Sequence, residues 1–536
     1  MLSGMVNVPL ELLFAAEKSH KDIYNQIEVD VLFRGPGEGT WKVPAFWAGE
    51  GTFRVRFAPP KPGKYSYETA CTDTADAGLH GRTGELEAVP YDGQNPLFRH
   101  GRLQLARSKR YLEHADGTPF FWLGDTWWMG LCKRLSWPGG FRTLVADRVQ
   151  KGFSLVQIIA GLYPDMPAFD PRGANEVGFP WEEGYARIVP AYFDMADLRI
   201  DWLIRSGLVP CIVGCWGYFI PWMGVEKMKK HWRNLVARWG AYPVVWCLAG
   251  EATMPYYLST TKEEDAKVQK RAWTELGRYV RSIDPSHNPI TIHPTNRGRD
   301  QVEDPSVLDV DMLQTGHGDR TSLPMTVKSV TEEYARTPTM PVIDGEVCYE
   351  GIGEASRQEV QRLMFWASIL NGSAGHTYGA NGIWQLNTRE QPYGPSPHGM
   401  SWGDTPWEDA YLLPGSGQLG LAKRLLERFE WWRFEPHPEW VEPHGTETNY
   451  YAPYAAGIPG KVRVIYFPLG WESPVVKGIE KGTRYRAYYW NPVNGQQREI
   501  GEATADAKGD WPVASGTEPW RLPPLYQDWV VVLQAV

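Results

Sequence analysis

Eight compact apolar runs, spaced along the middle of the chain and separated by stretches of helical character, constrain its fold more than any other feature. In order they are FFWLGD ending at Asp125, SLVQIIA at Ala160, LVPCIVG at Gly214 and VVWCLAGE at Glu251. PITIHP near His293, LDVDMLQTG at Gly316, PVIDGE at Glu346 and GSAGHTYG near Tyr378 complete the set. The intervening helices have their own signals. Val268, Ala272, Leu276, Tyr279, Val280 and Ile283 recur at three- and four-residue steps until Asp284-Pro285 stops the run. A second helix is expected to open on the capping box Ser356-x-x-Glu359 and to close at Asn371-Gly372. Gly152 and Gly207 fall between a helical run and a strand, where a residue at positive φ ends a helix. Strand and helix alternation of this kind argues for βα units on a parallel sheet, and eight units over about 300 residues fit a (β/α)8 TIM barrel. A doubly wound open sheet is the alternative; no G-x-G-x-x-G follows the first run and no P-loop sequence occurs.

Either side of this segment the hydrophobic period is two. Ile27, Val29, Val31 and Phe33 alternate with Glu28 and Asp30, and Phe53, Val55 and Phe57 alternate with Arg54 and Arg56; GPGEG and PPKPG supply the turns. Alternation returns in VRVIYF, YRAYYWNPVNG and DWVVVL. The expected organisation is a β-sandwich over residues 1–105, the barrel over 106–434 and a second β-sandwich over 435–536.

Composition narrows the classes of function. With 55 Lys and Arg against 63 Asp and Glu, the net charge of −8 gives no basic field for a polyanion, which argues against nucleic acid and anionic membrane as partners. No run of about 18 apolar residues is present to span a bilayer. The six cysteines have neither CxxC pairs nor regular spacing, so buried free thiols are expected rather than a disulfide framework or zinc site. Nothing at the N-terminus reads as a signal peptide, and a cytoplasmic location is the expectation. Oligomeric state is left open. The 26 Trp and 26 Tyr exceed what aliphatic packing requires and suit a protein that grips flat, amphipathic ligands such as sugars, although any single Trp is more often core.

In a barrel the chemistry lies at the carboxyl ends of the strands. Glu251 closes the fourth run and Glu346 the seventh. Cleaving a glycosidic bond needs one acid to protonate the leaving oxygen and a second carboxylate to act as nucleophile or to activate water, which is what two facing glutamates supply. Around them the same position in the other units brings Asp125 with Trp127 and Trp128, His293, Gln314, His317, and His376 with Tyr378. Trp216, Tyr218, Tyr256, Tyr257, Tyr349 and Trp384 follow strands and are expected at the mouth. The substrate-binding set is therefore Asp125, Trp127, Trp128, Trp216, His293, His317, His376, Tyr378 and Trp384. Glu350 is expected to support the site from the rim. No cofactor is implied. Two rival readings are a carbohydrate-binding protein without catalysis and a metal-dependent barrel hydrolase using the strand-end histidines; against the latter, the first strand lacks His-x-His and no Lys ends a strand.

PFFWLGDTWW, VVWCLAGE, PVIDGEVCYEG and GHTYGANGIWQ, in that order, resemble the apiosidase-like glycoside hydrolases, a branch of the clan A retaining enzymes with a TIM barrel. In that family a β-sandwich commonly precedes the barrel, and WNPVNG with DWVVVL looks like its trailing collagen-binding-like domain. The resemblance implies Glu346 as nucleophile, Glu251 as acid/base, and hydrolysis of terminal sugars from plant or microbial polysaccharides. Gly250 departs from the Asn usual in the wider clan before the acid/base, so recognition of the sugar 2-hydroxyl is expected to come from Asp125 or His317.

Overall fold

A computed structural model of the chain describes residues 2–468, 475–513 and 526–536. The eight apolar runs form one parallel sheet: Trp122–Trp127, Leu155–Ile159, Val209–Val213, Val245–Cys247, Ile290–Thr291, Asp311–Gln314, Val342–Glu346 and Gly375–Tyr378. Numbered in chain order, their spatial order is 5-4-3-2-1-8-7-6. The first strand pairs with the eighth, Asp125 opposite Tyr378, so the sheet curls round with the fifth and sixth strands as its edges. These edges are joined as well. The N–H groups of Asp309 and Val310 donate to the Ile290 carbonyl at 2.8 and 3.3 Å, and the Thr291 hydroxyl donates to the Val310 carbonyl at 2.9 Å. The result is a closed (β/α)8 barrel. Every residue of the second, third and seventh strands is buried, as expected when the interior covers one face and helices the other.

The helix expected before Asp284 runs over Lys262–Ile283, and the Asp284 carboxylate ends it by accepting from the N–H groups of Ser286 and Asn288, both at 2.9 Å. One local expectation fails. Helix Gln358–Leu370 has Arg357 at its N-cap and no capping side chain. Ser356 is held at φ +52° with its own N–H on Asp319 at 2.9 Å, so the capping box does not form. The helix does end at Asn371-Gly372, where Gly372 adopts φ +104°.

Before the barrel, a five-stranded sheet and a three-stranded sheet enclose a core that includes Val29, Val31, Phe33, Val55 and Leu86, the inward half of the alternating pattern. This sandwich is tied to barrel helices Pro190–Arg205 and Val225–Trp239 through Arg56 with Asp197 and Asp30 with Arg233, each at 2.6 Å. After the barrel come a six-stranded and a three-stranded sheet. The six-stranded sheet docks on helix Gln358–Leu370 by the buried Arg362 and Asp528 pair at 2.7 Å and by Trp366 stacked on Tyr466. All six cysteines are free and buried, and among the described residues no helix is long and apolar enough to cross a membrane.

Candidate active site

Glu346 reaches the barrel mouth because its strand is irregular. Asp344 and Glu346 stand two residues apart, a spacing that would turn both side chains to the same face of a regular strand. Opposite the sixth strand, Leu313 pairs with Asp344 and Gln314 with Glu346, which leaves Gly345 as the extra residue of a bulge. A Cβ at 345 would lie 2.3 Å from Met312 Cγ, so only glycine fits. The two acids diverge. Asp344 accepts from Ser368 of the covering helix at 2.6 Å, and burial pushes its carboxyl up to about 7. Glu346 faces a cavity of about 230 Å³ at the carboxyl ends of the strands.

Glu251 arrives four residues beyond the fourth strand with φ +38°, a conformation that non-glycine residues rarely hold without a structural or functional reason. Its N–H donates to Nδ1 of His293 at 3.4 Å. That leaves the imidazole proton on Nε2, which lies 2.9 Å from Glu346 Oε2, although the alignment falls short of a straight hydrogen bond. His317 Nε2 sits 2.8 Å from the other carboxylate oxygen, Oε1. Gln314 completes the arrangement, its amide Nε2 donating at 3.2 Å to Oε1 of Glu251 and at 3.2 Å to Oε1 of Glu346. Four strands thus converge on two carboxyl groups.

Their environments push these groups apart. Burial, and then the negative charge of Glu346, raise Glu251 to about 7. Burial acts on Glu346 in the same direction, but the electrostatic attraction of His293 and His317, with the hydrogen bond from His317, outweighs it and holds the carboxylate at about 2. Burial lowers His317, and its bond to Glu346 more than reverses this, so its pKa is raised. Near neutral pH the geometry therefore supports one ionised and one half-protonated carboxyl group.

Aromatic rings wall the cavity. Trp128 donates its indole N–H to the Tyr349 hydroxyl at 3.0 Å and stands edge-on to His293 and Trp216. Tyr349 stacks between His317 and Trp384. Trp216 explains the glycine before Glu251: a Cβ at 250 would lie 2.1 Å from Cε3 and Cζ3 of its ring, so the indole occupies the space a side chain would need. Replacing Gly250 by Ala is expected to displace Trp216 and with it Glu251. The overpacking should cost about 1–3 kcal/mol, checked by thermal melting, and kcat/KM should fall at least about tenfold.

Of the expected substrate-binding residues, Trp128, Trp216, His317 and Trp384 line the cavity with both glutamates, and His293 touches Glu346 from just behind it. Others lie elsewhere. Asp125 is fully buried, 2.6 Å from Arg148 Nε and from the Trp127 indole nitrogen, and organises the barrel wall. Trp127 packs edge-on against Phe141 of a barrel helix. His376, the second residue of its strand rather than the last, is fully buried against Phe365, with its pKa lowered by burial to about 3. Tyr378 is fully buried and donates to Glu350 at 2.5 Å; Glu350, expected at the rim, is itself buried and accepts from the Gly415 N–H at 3.0 Å. Recognition of a 2-hydroxyl by Asp125 is excluded by that burial. Asp165, Met254, His398 and Trp402 also line the cavity without having been anticipated. They come from irregular loops that carry no periodicity. Among the described residues no three His, Cys, Asp or Glu side chains are grouped to hold a metal ion.

The profile of the family described as "Apiosidase-like, catalytic domain" matches residues 106–433, and that of a domain of unknown function, DUF5060, matches residues 8–72. A glycoside hydrolase family 5 protein from Bacteroides vulgatus shares the fold at TM-score 0.66 and 23% identity, over 82% of this chain and 95% of that one. A second Bacteroides vulgatus protein, described as a candidate glycoside hydrolase, superposes over 100% of both chains at TM-score 0.71 and 16% identity. At such identities the likeness is one of fold. No curated protein matches the chain. The family match supports a glycosidase activity. Matched over well more than half of its length, the chain belongs to the apiosidase-like family and carries that family's catalytic domain in its barrel.

Proposed function

We propose that the protein is a retaining glycoside hydrolase that releases terminal sugars from an oligo- or polysaccharide, with Glu346 as nucleophile and Glu251 as acid/base. The observation that carries this reading is the single Gln314 amide bound to both carboxyl groups. Because one nitrogen contacts both, the two Oε1 atoms are no further apart than twice 3.2 Å. Retaining enzymes hold their carboxyl groups about 5–5.5 Å apart, whereas inverting enzymes leave about 6.5–9.5 Å for a water. The divergent pKa values support the same division of roles.

In the first step the Glu346 carboxylate attacks the anomeric carbon while protonated Glu251 gives its proton to the departing glycosidic oxygen. In the second, Glu251, now a carboxylate, takes a proton from water as that water displaces Glu346 from the sugar. His293 and His317 keep Glu346 ionised and fix its orientation. The aromatic walls of the cavity, Trp128, Trp216, Tyr349 and Trp384, offer flat faces on which a sugar ring can stack.

A screen of aryl pento- and hexosides, furanosides and pyranosides of both anomers, followed by proton NMR of the first product, tests the proposal. The first-formed sugar is expected to keep the anomeric configuration of the substrate. Inversion would overturn the mechanism.

A further inference from the structure

The cavity contains a third carboxylate that the proposed mechanism does not use. Asp165, in the loop after the second strand, lines the cavity and is only 5% exposed. Among the described residues no Lys or Arg lies within ion-pair distance of it. Arg172, the cation in its electrostatic range, is held by Asp170 at 2.8 Å. A buried carboxylate without an ion-pair partner is costly to retain, so what fixes it in place is informative. The Tyr257 hydroxyl donates to its Oδ1 and the Trp402 indole N–H donates to its Oδ2 at 3.1 Å. The Tyr393 hydroxyl donates to its backbone carbonyl at 3.0 Å, and the residue adopts φ +56°. Loops following the second, fourth and eighth strands therefore clamp one acid in a strained backbone conformation.

Two side-chain donors occupy about half of the four acceptor positions of a carboxylate. Sugar hydroxyls are the natural donors for the remainder. The site thus keeps spare acceptors at Asp165, as a polyhydroxyl ring would require. None of the residues lining it is Lys or Arg. A sugar carboxylate would bring a further anion into an enclosed space that already holds Glu346 ionised.

Resting on the hydrolase reading above, we infer that Asp165 is a substrate-binding residue that accepts hydrogen bonds from the hydroxyls of the terminal sugar and selects a ring without a carboxylate over a uronic acid. Phenyl thioglycosides, which resist hydrolysis, permit a test by affinity alone. Neutral pentose and hexose thioglycosides and the matching uronides are titrated into the full chain, its Asp165→Asn variant and its Trp402→Phe variant, with folding checked by thermal melting. The expected result is at least tenfold weaker binding of the best neutral ligand by Asp165→Asn, a smaller loss in Trp402→Phe, and at least tenfold weaker binding of the uronide by the unaltered chain. Neutral-ligand affinity that falls less than tenfold in Asp165→Asn, or equal binding of the uronide, would overturn the inference. Should Asp165→Asn not fold, unchanged affinity in Trp402→Phe would overturn it. The hydrolase reading fails separately: thioglycoside binding that depends on Asp165 without turnover of any O-glycoside refutes catalysis and leaves this assignment standing.

Discussion

Glu346→Gln is expected to reduce turnover of the cognate glycoside on the order of 10⁴-fold or more, the scale of losing one member of a concerted nucleophilic group and worth about 5.5 kcal/mol of activation free energy. The change preserves shape and removes the attacking charge. Because glutamine is close in size, stability should move by no more than about 1–2 kcal/mol, as measured by thermal or denaturant unfolding. The neighbours provide an independent readout. Glu346 is what holds the His317 pKa above its usual value against burial, so in the variant the histidine should titrate lower, visible by NMR. Its charge also contributes to raising Glu251, whose pKa should fall. A variant with near-full activity would refute the role given to Glu346.

Glu251→Ala should have a different signature. An acid/base contributes about 10²–10⁴-fold where the leaving group needs protonation. Alkyl glycosides should lose that factor, while the first step on dinitrophenyl glycosides, whose leaving group departs unaided, should be little affected. The pH dependence follows from the same two groups. Glu251 must be protonated to act as acid; its pKa is raised to about 7, so activity is present below that pH and is lost as the pH rises through it. Glu346 must be ionised, and with its pKa lowered to about 2 activity is lost only as the pH falls toward that value. The expected kcat/KM profile is broad, with its upper limb near pH 7. In Glu251→Ala that upper limb should disappear. If the limb persists, another group is the acid.

Much of this arrangement was legible in the chain. A parallel barrel buries both faces of its strands, so each strand reads as a compact apolar run, and all eight were identifiable. A glutamate closing such a run is conspicuous, and Glu251 and Glu346 stood out for that reason. The same signal misled at Asp125, which closes its run equally well yet pairs with Arg148. Position at a strand end does not tell inward from outward when apolar residues occupy both faces. The Gly345 bulge shows the difficulty again, since Asp344 and Glu346 share a strand and only a register shift against the sixth strand assigns one to the covering helix and the other to the cavity. Asp165 and Trp402 were out of reach because their meeting depends on loops 237 residues apart, neither of them with a repeating pattern. In sequence Gly250 reads only as a departure from the clan, because its cause, the Trp216 ring lying where a side chain would be, comes from a residue 34 positions away.

The retaining mechanism requires that Glu346 become covalently joined to the sugar. Incubation with a 2-deoxy-2-fluoro glycoside bearing a good leaving group, followed by intact-mass measurement and peptide mapping, tests this most directly. The expected result is a stoichiometric mass increase of one fluoro sugar, located on the peptide containing Glu346 and absent from Glu346→Gln. An adduct on a different residue, or an enzyme that hydrolyses the parent glycoside with inversion and never forms an adduct, would contradict it.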